Sequence, residues 1–288
     1  MEGIILKGIA GFYYVSCGGN LYECKARGIF RKDGLVPHVG DYVHIEVLED
    51  GKGIITEIHD RKNVFIRPPI ANVDCFVVVC AATKPKPNLA IIDQFLVMAE
   101  ENHTEVILCI NKADLVKEEE LNSLCEIYAT LYPVCCVSGK NGFGIPDLKS
   151  KMEGKTCALA GPSGVGKSTL LNYLREDYAM ETGEISEKTH RGKHTTRHAE
   201  LFEMESGGRV FDTPGFTSFD VLETDEDELP FLFPEMVPYQ GMCRYDNCRH
   251  LKEPSCAVTQ AVDEGKIKES RYQSYMAMMK AIQEKRRF

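Results

Sequence analysis

The stretch Thr156-Cys157-Ala158-Leu159-Ala160-Gly161-Pro162-Ser163-Gly164-Val165-Gly166-Lys167-Ser168-Thr169-Leu170-Leu171 decides the architecture. Its first five residues form a short apolar run suited to a strand buried on both faces. The next eight match G-x-x-x-x-G-K-S, and a helical pattern follows. Strand, glycine-rich turn and helix in this order make a phosphate-binding loop. The glycines let successive backbone N–H groups turn inward, and the helix N-terminus adds positive potential. Lys167 is expected to reach the β and γ phosphates and act in catalysis, and Ser168 to ligate Mg²⁺. Gly161, Pro162, Ser163, Gly164, Val165, Gly166 and Thr169 complete the phosphate cradle. A chance glycine-rich turn is the plainer alternative, against which the flanking strand and helix argue.

Upstream, residues 74–80, 105–110 and 134–137 read as further buried parallel strands, with helices over 90–101, 116–131 and, downstream, 167–175. This alternation predicts a doubly wound α/β domain. Asn111-Lys112-Ala113-Asp114 follows the strand at 105–110. A carboxylate accepts from both N1–H and the exocyclic amino group of guanine, whereas adenine offers no donor at either place, so Asp114 selects GTP over ATP. The Lys112 stem can lie over the base, and Asn111 can tie this loop to the phosphate loop. A polar turn opening a helix is the plainer reading of the same residues. Ser138-Gly139-Lys140, after the next strand, is a weaker signal for a loop contacting guanine O6.

Downstream, Asp212-Thr213-Pro214-Gly215 follows a strand at 209–211. Asp212 is placed to hold Mg²⁺ through water, and the Gly215 N–H to sense the γ-phosphate. In His194-Thr195-Thr196, a threonine hydroxyl can complete the Mg²⁺ shell, Thr196 being favoured over Thr195. The position after Gly215, where a glutamine often orients the attacking water, is Phe216, which cannot do so. Slow intrinsic turnover is expected. His194 is the nearby group able to orient water, although a solvent-facing histidine among Lys193, Arg197 and His198 explains the residue type as well. The base-selecting loops precede the phosphate loop, the reverse of the usual order, which is a circular permutation of the same sheet.

From Ile4 to Ile58 short β-type runs alternate with turn chemistry, predicting a small barrel of the OB type; a barrel that is purely structural fits these residues equally. Arg67-Pro68-Pro69 reads as an extended linker. At the other end Cys243, Cys248, His250 and Cys256 make C-x4-C-x-H-x5-C, a donor set suited to a closed structural Zn²⁺ site, with reduced cysteines in a loop as the plainer alternative. A closing helix places Tyr272, Tyr275, Met276, Met279 and Ile282 on one face for packing. The expected domains are 1–67, an OB-fold; 68–221, the permuted GTPase domain; and 222–288, a zinc-binding domain.

At 288 residues, 43% hydrophobic and 27% charged, the chain can bury a core and is not of disordered composition. Its net charge of −9 excludes a uniformly basic nucleic-acid surface, leaving local patches such as Lys188, Arg191, Lys193 and Arg197, or Lys285-Arg286-Arg287. No run is long and apolar enough for a membrane span, and no secretory signal opens the chain, so a cytoplasmic protein without membrane contact is expected. The 12 cysteines then read as reduced thiols or metal ligands, with Cys75, Cys80, Cys109, Cys135, Cys136 and Cys157 expected in the core.

Asn111 to Asp114, Gly161 to Thr169, Gly192 to Thr196, Asp212 to Phe216, and Cys243 to Cys256 followed by Ala257-Val258 together resemble the ribosome small-subunit-dependent GTPase A family, bacterial factors for maturation of the 30S particle. The resemblance covers nearly the whole chain. It implies an OB-fold, a permuted GTPase domain and a zinc domain, with the small ribosomal subunit, 16S rRNA and GTP/GDP as partners, and it points to His194 as the water-orienting residue. A monomer is expected. The rival reading is a zinc-dependent RNA-binding module that uses GTP only as a structural ligand.

Overall fold

The computed structural model describes residues 1–28, 30, 34–49, 51–175, 199–213 and 224–285. The chain forms two compact units, neither of them one continuous segment: Met1–Phe76 with Lys149–Leu159 and Ser168–Phe216, and Val77–Leu148 with Ala160–Lys167 and Thr217–Phe288.

In the first unit, β1 (Glu2–Ile9), β2 (Phe12–Cys17), β3 (Asn20–Ala26), β4 (Tyr42–Val47) and β5 (Gly53–Ile58) close on themselves. β1 pairs with β2 and β4, β2 with β3, and β4 with β5, all antiparallel, while β3 and β5 run parallel. The circuit 1-2-3-5-4-1 is that of a five-stranded OB barrel, and closure removes free strand edges. Period-two alternation sends Ile5, Val15, Cys17, Val43, Ile45 and Ile55 inward as its core.

Arg67-Pro68-Pro69 is not an extended linker. It forms the turn between β6 (Val64–Phe65) and β7 (Ile70–Ala71), which pair antiparallel. The prolines need no ladder donor at the turn, and the short strands form on either side of them. The loop before β4 is held to this hairpin by Asn72 Nδ2, which donates to the Gly40 carbonyl at 3.0 Å. Buried Asp41 accepts from Arg61 at 2.7 and 2.8 Å. The same unit contains β12 (Glu200–Glu203) and β13 (Arg209–Asp212), where β13 lies antiparallel to β12 and parallel to β11 (Thr156–Ala160).

The second unit carries most of β8 (Cys75–Ala81), with β9 (Glu105–Asn111) beside it and β10 (Val134–Cys136) parallel to β9. Every residue of β8 is buried, as the unbroken apolar run predicts. The helices α1 (Leu89–Glu101) and α2 (Glu118–Tyr128) match two of the predicted ones. The second is shorter than 116–131 because Val116 is extended. The predicted helix at the phosphate loop and strand at 209 are found as α4 (Lys167–Leu174), after α3 (Ile145–Met152), and as β13.

Two helices close the chain, α5 (Ala257–Asp263) and α6 (Glu269–Lys285). α6 packs on α1 over a core that includes Val97, Phe233, Met236, Val258, Tyr275 and Met279. Its buried face differs in part from the expected one. Met278 is buried and Met276 only partly, and the face admits a charge, Arg271. That guanidinium donates to Asp93 of α1 at 2.6 Å and to Glu235 at 2.6 and 3.2 Å. Tyr128 adds a hydroxyl to Asp93 at 3.0 Å. Among the described residues no helix is long and apolar enough to cross a membrane.

Candidate nucleotide site and metal centre

Asn111 ends β9 and is 2% exposed. Its Nδ2 donates to the Val165 carbonyl at 2.8 Å, and its Oδ1 accepts from the backbone N–H of Lys112 at 2.8 Å and of Gly139 at 3.0 Å. One buried amide therefore uses both its polar ends to join the phosphate loop, the base loop and the loop of Ser138. The fit leaves no room for a side chain at Gly166, where φ is +100° and a Cβ would collide with Asn111 Nδ2. At Gly161 the obstacle is the Val79 carbonyl oxygen. These are close backbone approaches that only glycine permits.

Lys112 is left-handed, φ 63°, and its ammonium donates to the carbonyls of Lys84 at 2.5 Å and Gly164 at 2.8 Å. The Ala113 N–H donates to the Val137 carbonyl at 3.1 Å, which anchors the short turn Ala113–Leu115 and leaves Asp114 exposed. Ser138 is buried, its hydroxyl accepting from the Lys140 N–H at 3.3 Å, while Lys140 itself is exposed. The arrangement presents a carboxylate on a loop whose backbone is fixed from two sides.

Lys167 folds back on its own loop, donating to the carbonyls of Gly161 at 2.6 Å and Pro162 at 2.8 Å. Burial pulls its pKa down to about 8. An ammonium held among carbonyls in a partly dry loop gains from an arriving phosphate. In the first unit, Ser168 and Thr169 lie exposed in the first turn of α4, and Asp212 ends β13 half-buried. Burial raises the Asp212 pKa, and the charge of Arg175 opposes that rise. A hydroxyl and a carboxylate that sits uneasily with its own charge are hard oxygen donors, the set that fits Mg²⁺.

Cys243, Cys248, His250 and Cys256 come together with all four ligand atoms within 4.8 Å of one another. Cys243 Sγ lies 3.8 Å from Cys256 Sγ, and His250 Nδ1 lies 3.5 and 3.4 Å from those two sulfurs. A tetrahedron with metal–sulfur bonds of about 2.3 Å has edges of about 3.8 Å, so the spacing fits one tetrahedral ion. Two partners that the spacing pattern does not reveal complete the surroundings. Gln240 Oε1 sits 3.1 Å from His250 Nε2, fixing which nitrogen faces the sulfurs, and the Ala257 N–H donates to Cys243 Sγ at 3.4 Å. Tyr272 and Tyr275 of α6 donate to the carbonyls of His250 and Arg249 at 2.7 and 2.6 Å, so the helix grips the ligand loop.

His194, Thr195, Thr196, Gly215 and Phe216 lie outside the described residues, as do Gly192, Lys188, Arg191, Lys193, Arg197, Arg286 and Arg287.

The model of the RsgA GTPase family matches residues 58–222, and that of the RsgA N-terminal domain matches residues 2–55. A small ribosomal subunit biogenesis GTPase RsgA of Alkaliphilus metalliredigens is 46% identical over 290 residues, spanning 100% of this chain and 99% of the relative. The protein of that name from Clostridium perfringens is 48% identical over 283 residues, 98% of both chains. Among solved structures, YjeQ from Thermotoga maritima superposes with a TM-score of 0.85 at 38% identity, covering 98% of each chain. YloQ, described as a circularly permuted GTPase, gives 0.81 at 38% identity over 99% of this chain and 95% of its own. With base loops ahead of the phosphate loop and a barrel ahead of both, the chain belongs to the RsgA family of circularly permuted, GTP-hydrolysing enzymes.

Proposed function

We propose that this chain binds the small ribosomal subunit, 16S rRNA included, and hydrolyses GTP to GDP and phosphate during late 30S assembly. The observation that carries the reading is the Asn111 brace, because a loop that selects guanine is useful only when held in register with the loop that holds phosphate. Asp114 accepts the two guanine donors, the Lys112 stem covers the base, and Ala113 and Ser138 to Lys140 close the base pocket. The loop from Gly161 to Thr169 cradles the phosphates through backbone N–H groups, and Lys167 turns from its two carbonyls to the β and γ oxygens. Ser168, Thr196 and Asp212 would hold Mg²⁺, which would supply positive charge beside those oxygens. His194 orients the attacking water, and the Gly215 N–H meets the γ-phosphate. A single structural Zn²⁺ occupies Cys243, Cys248, His250 and Cys256, whose softness and closed set suit that ion. The domains are 1–67, 68–221 and 222–288, and the protein works in the cytoplasm as a monomer.

GTP turnover with and without purified small subunits tests the reading. Stimulation by subunits is the expected result. Bound subunits that leave turnover unchanged would instead support a zinc-dependent RNA-binding module for which GTP is a structural ligand.

A further inference from the structure

Cys125 of α2 and Cys136 at the end of β10 have no part in either site. Both are half-buried, Cys136 being less covered than its apolar run suggests, and their sulfurs lie 3.4 Å apart. The neighbouring thiols are less accessible: Cys80 and Cys109 are fully buried, and Cys135 is buried with its S–H given to Asp147. We propose that Cys125 and Cys136 are a redox-modifiable dithiol whose closure to a disulfide loosens the guanine loop and lowers guanine-nucleotide affinity.

The sulfurs need to approach by only about 1.4 Å to reach bonding distance. With hydrogen peroxide as oxidant, the Cys125 sulfur attacks one peroxide oxygen. The O–O bond breaks, and the departing hydroxide takes the thiol proton as water, leaving Cys125 as a sulfenic acid. The Cys136 sulfur then attacks that of Cys125. The S–O bond breaks, and the hydroxide leaves with the Cys136 proton as a second water. Two thiols lose two electrons and two protons, and one peroxide becomes two waters. Burial and the contact with Cys125 push the Cys136 thiol up, so Cys136 is assigned as the thiol that keeps its proton until the second step.

The consequence follows from where Cys136 sits. β10 is three residues long, paired to β9 through Val134, Cys135 and Cys136. The next residue, Val137, receives the Ala113 N–H, and Gly139 holds Asn111. A Cβ on Gly144 would strike the Cys136 carbonyl, so backbone packs tightly against this strand end. Drawing Cys136 toward α2 therefore displaces the bonds that hold the base loop. This effect rests on the reading of residues 111–114 and 138–140 as the guanine site.

The test uses the full chain with its metal bound, treated with stoichiometric hydrogen peroxide, alkylated and digested for mass spectrometry. A fluorescent GDP analogue is titrated before oxidation, after it, and after dithiothreitol. The expected result is a Cys125–Cys136 linked peptide pair and a fall in affinity of roughly tenfold, the loss of about one buried hydrogen bond, reversed by reductant. Cys125→Ser and Cys136→Ser should bind as the reduced protein does and keep their affinity through oxidation. No linked pair, a linked pair without loss of affinity, or the same loss in Cys125→Ser overturns the proposal. Failure of the reduced chain to bind the analogue would refute the guanine-site reading instead, and the peptide map would still decide whether the dithiol closes.

Discussion

Asp114 and Lys167 show how single side chains are set for opposite tasks. Asp114 is exposed on a turn whose backbone is braced through Ala113 and Asn111, so its carboxylate faces solvent from a held backbone. Asp114→Asn exchanges one of two acceptors for a donor, which clashes with the guanine amino group and suits the carbonyl of xanthine. Competition binding should show preference for GTP falling on the order of 10²-fold or more, with xanthosine triphosphate binding gained. Unchanged preference for GTP would remove Asp114 from base selection. For Lys167 the sign of the pH effect follows from its lowered pKa. Between about 8 and the ordinary lysine value, burial holds the amine partly neutral, and an arriving phosphate restores the proton. Nucleotide binding near pH 9 should take up a fraction of a proton, and binding near pH 6 none, as titration calorimetry in buffers of different ionisation enthalpy would report. This lysine opposes folding in full below about pH 8, and the opposition is lifted progressively between about 8 and the ordinary lysine value.

The C-terminal helix owes its attachment to polar as well as apolar contacts. Arg271 is 1% exposed between Asp93 and Glu235, and Phe233 lies 4.7 Å from its guanidinium. Removing the cation alone strands two buried carboxylates. Arg271→Met should cost about 3–5 kcal/mol in urea unfolding, and adding Asp93→Asn with Glu235→Gln should recover part of that loss, because neutral groups cost far less to bury. A Met variant as stable as the parent would show the network to be solvated. The ligand loop is a separate element. Cys248→Ser should release the metal and loosen residues 243–285, seen as protease sensitivity there, while GDP affinity changes little, since no ligand belongs to a nucleotide loop. Metal analysis of the parent chain that found no zinc would refute the assignment of that ion.

For the whole molecule, the permutation has a mechanical consequence. The segment after Asp212, expected to answer to the γ-phosphate, leads in sequence into the part of the chain that carries the Cys/His cluster. Hydrolysis and attachment of the C-terminal part are thus adjacent in sequence. With Phe216 in the usual glutamine position, the subunit is expected to accelerate turnover by ordering the segment around His194. His194→Ala should bind GTP and small subunits normally and lose ~10² to 10⁴-fold of the stimulated single-turnover rate. A variant stimulated as strongly as the parent would leave water to be oriented by backbone or by rRNA.

Much of this was legible without coordinates because its chemistry is local. A phosphate loop needs consecutive backbone N–H groups, so its glycines must be neighbours. The carboxylate read as guanine-selecting follows a strand end, and the four side chains of the Cys/His cluster crowd between residues 243 and 256. Alternation in the first 58 residues announced a barrel, and the order of the loops announced the permutation. The misreadings and omissions concern partners that no local pattern links. Paired prolines gave no sign that short strands on either side of them would join and make their stretch a turn. Arg271 lies 178 residues from Asp93, and the period of α6 is the same whether its buried face holds a methionine or a guanidinium. Gln240 and the Cys125–Cys136 contact were equally hidden. Each depends on how helices and loops pack across the core. Packing rewards complementary shape and paired charge between residues that share a place in space, and linear order records no such pairing.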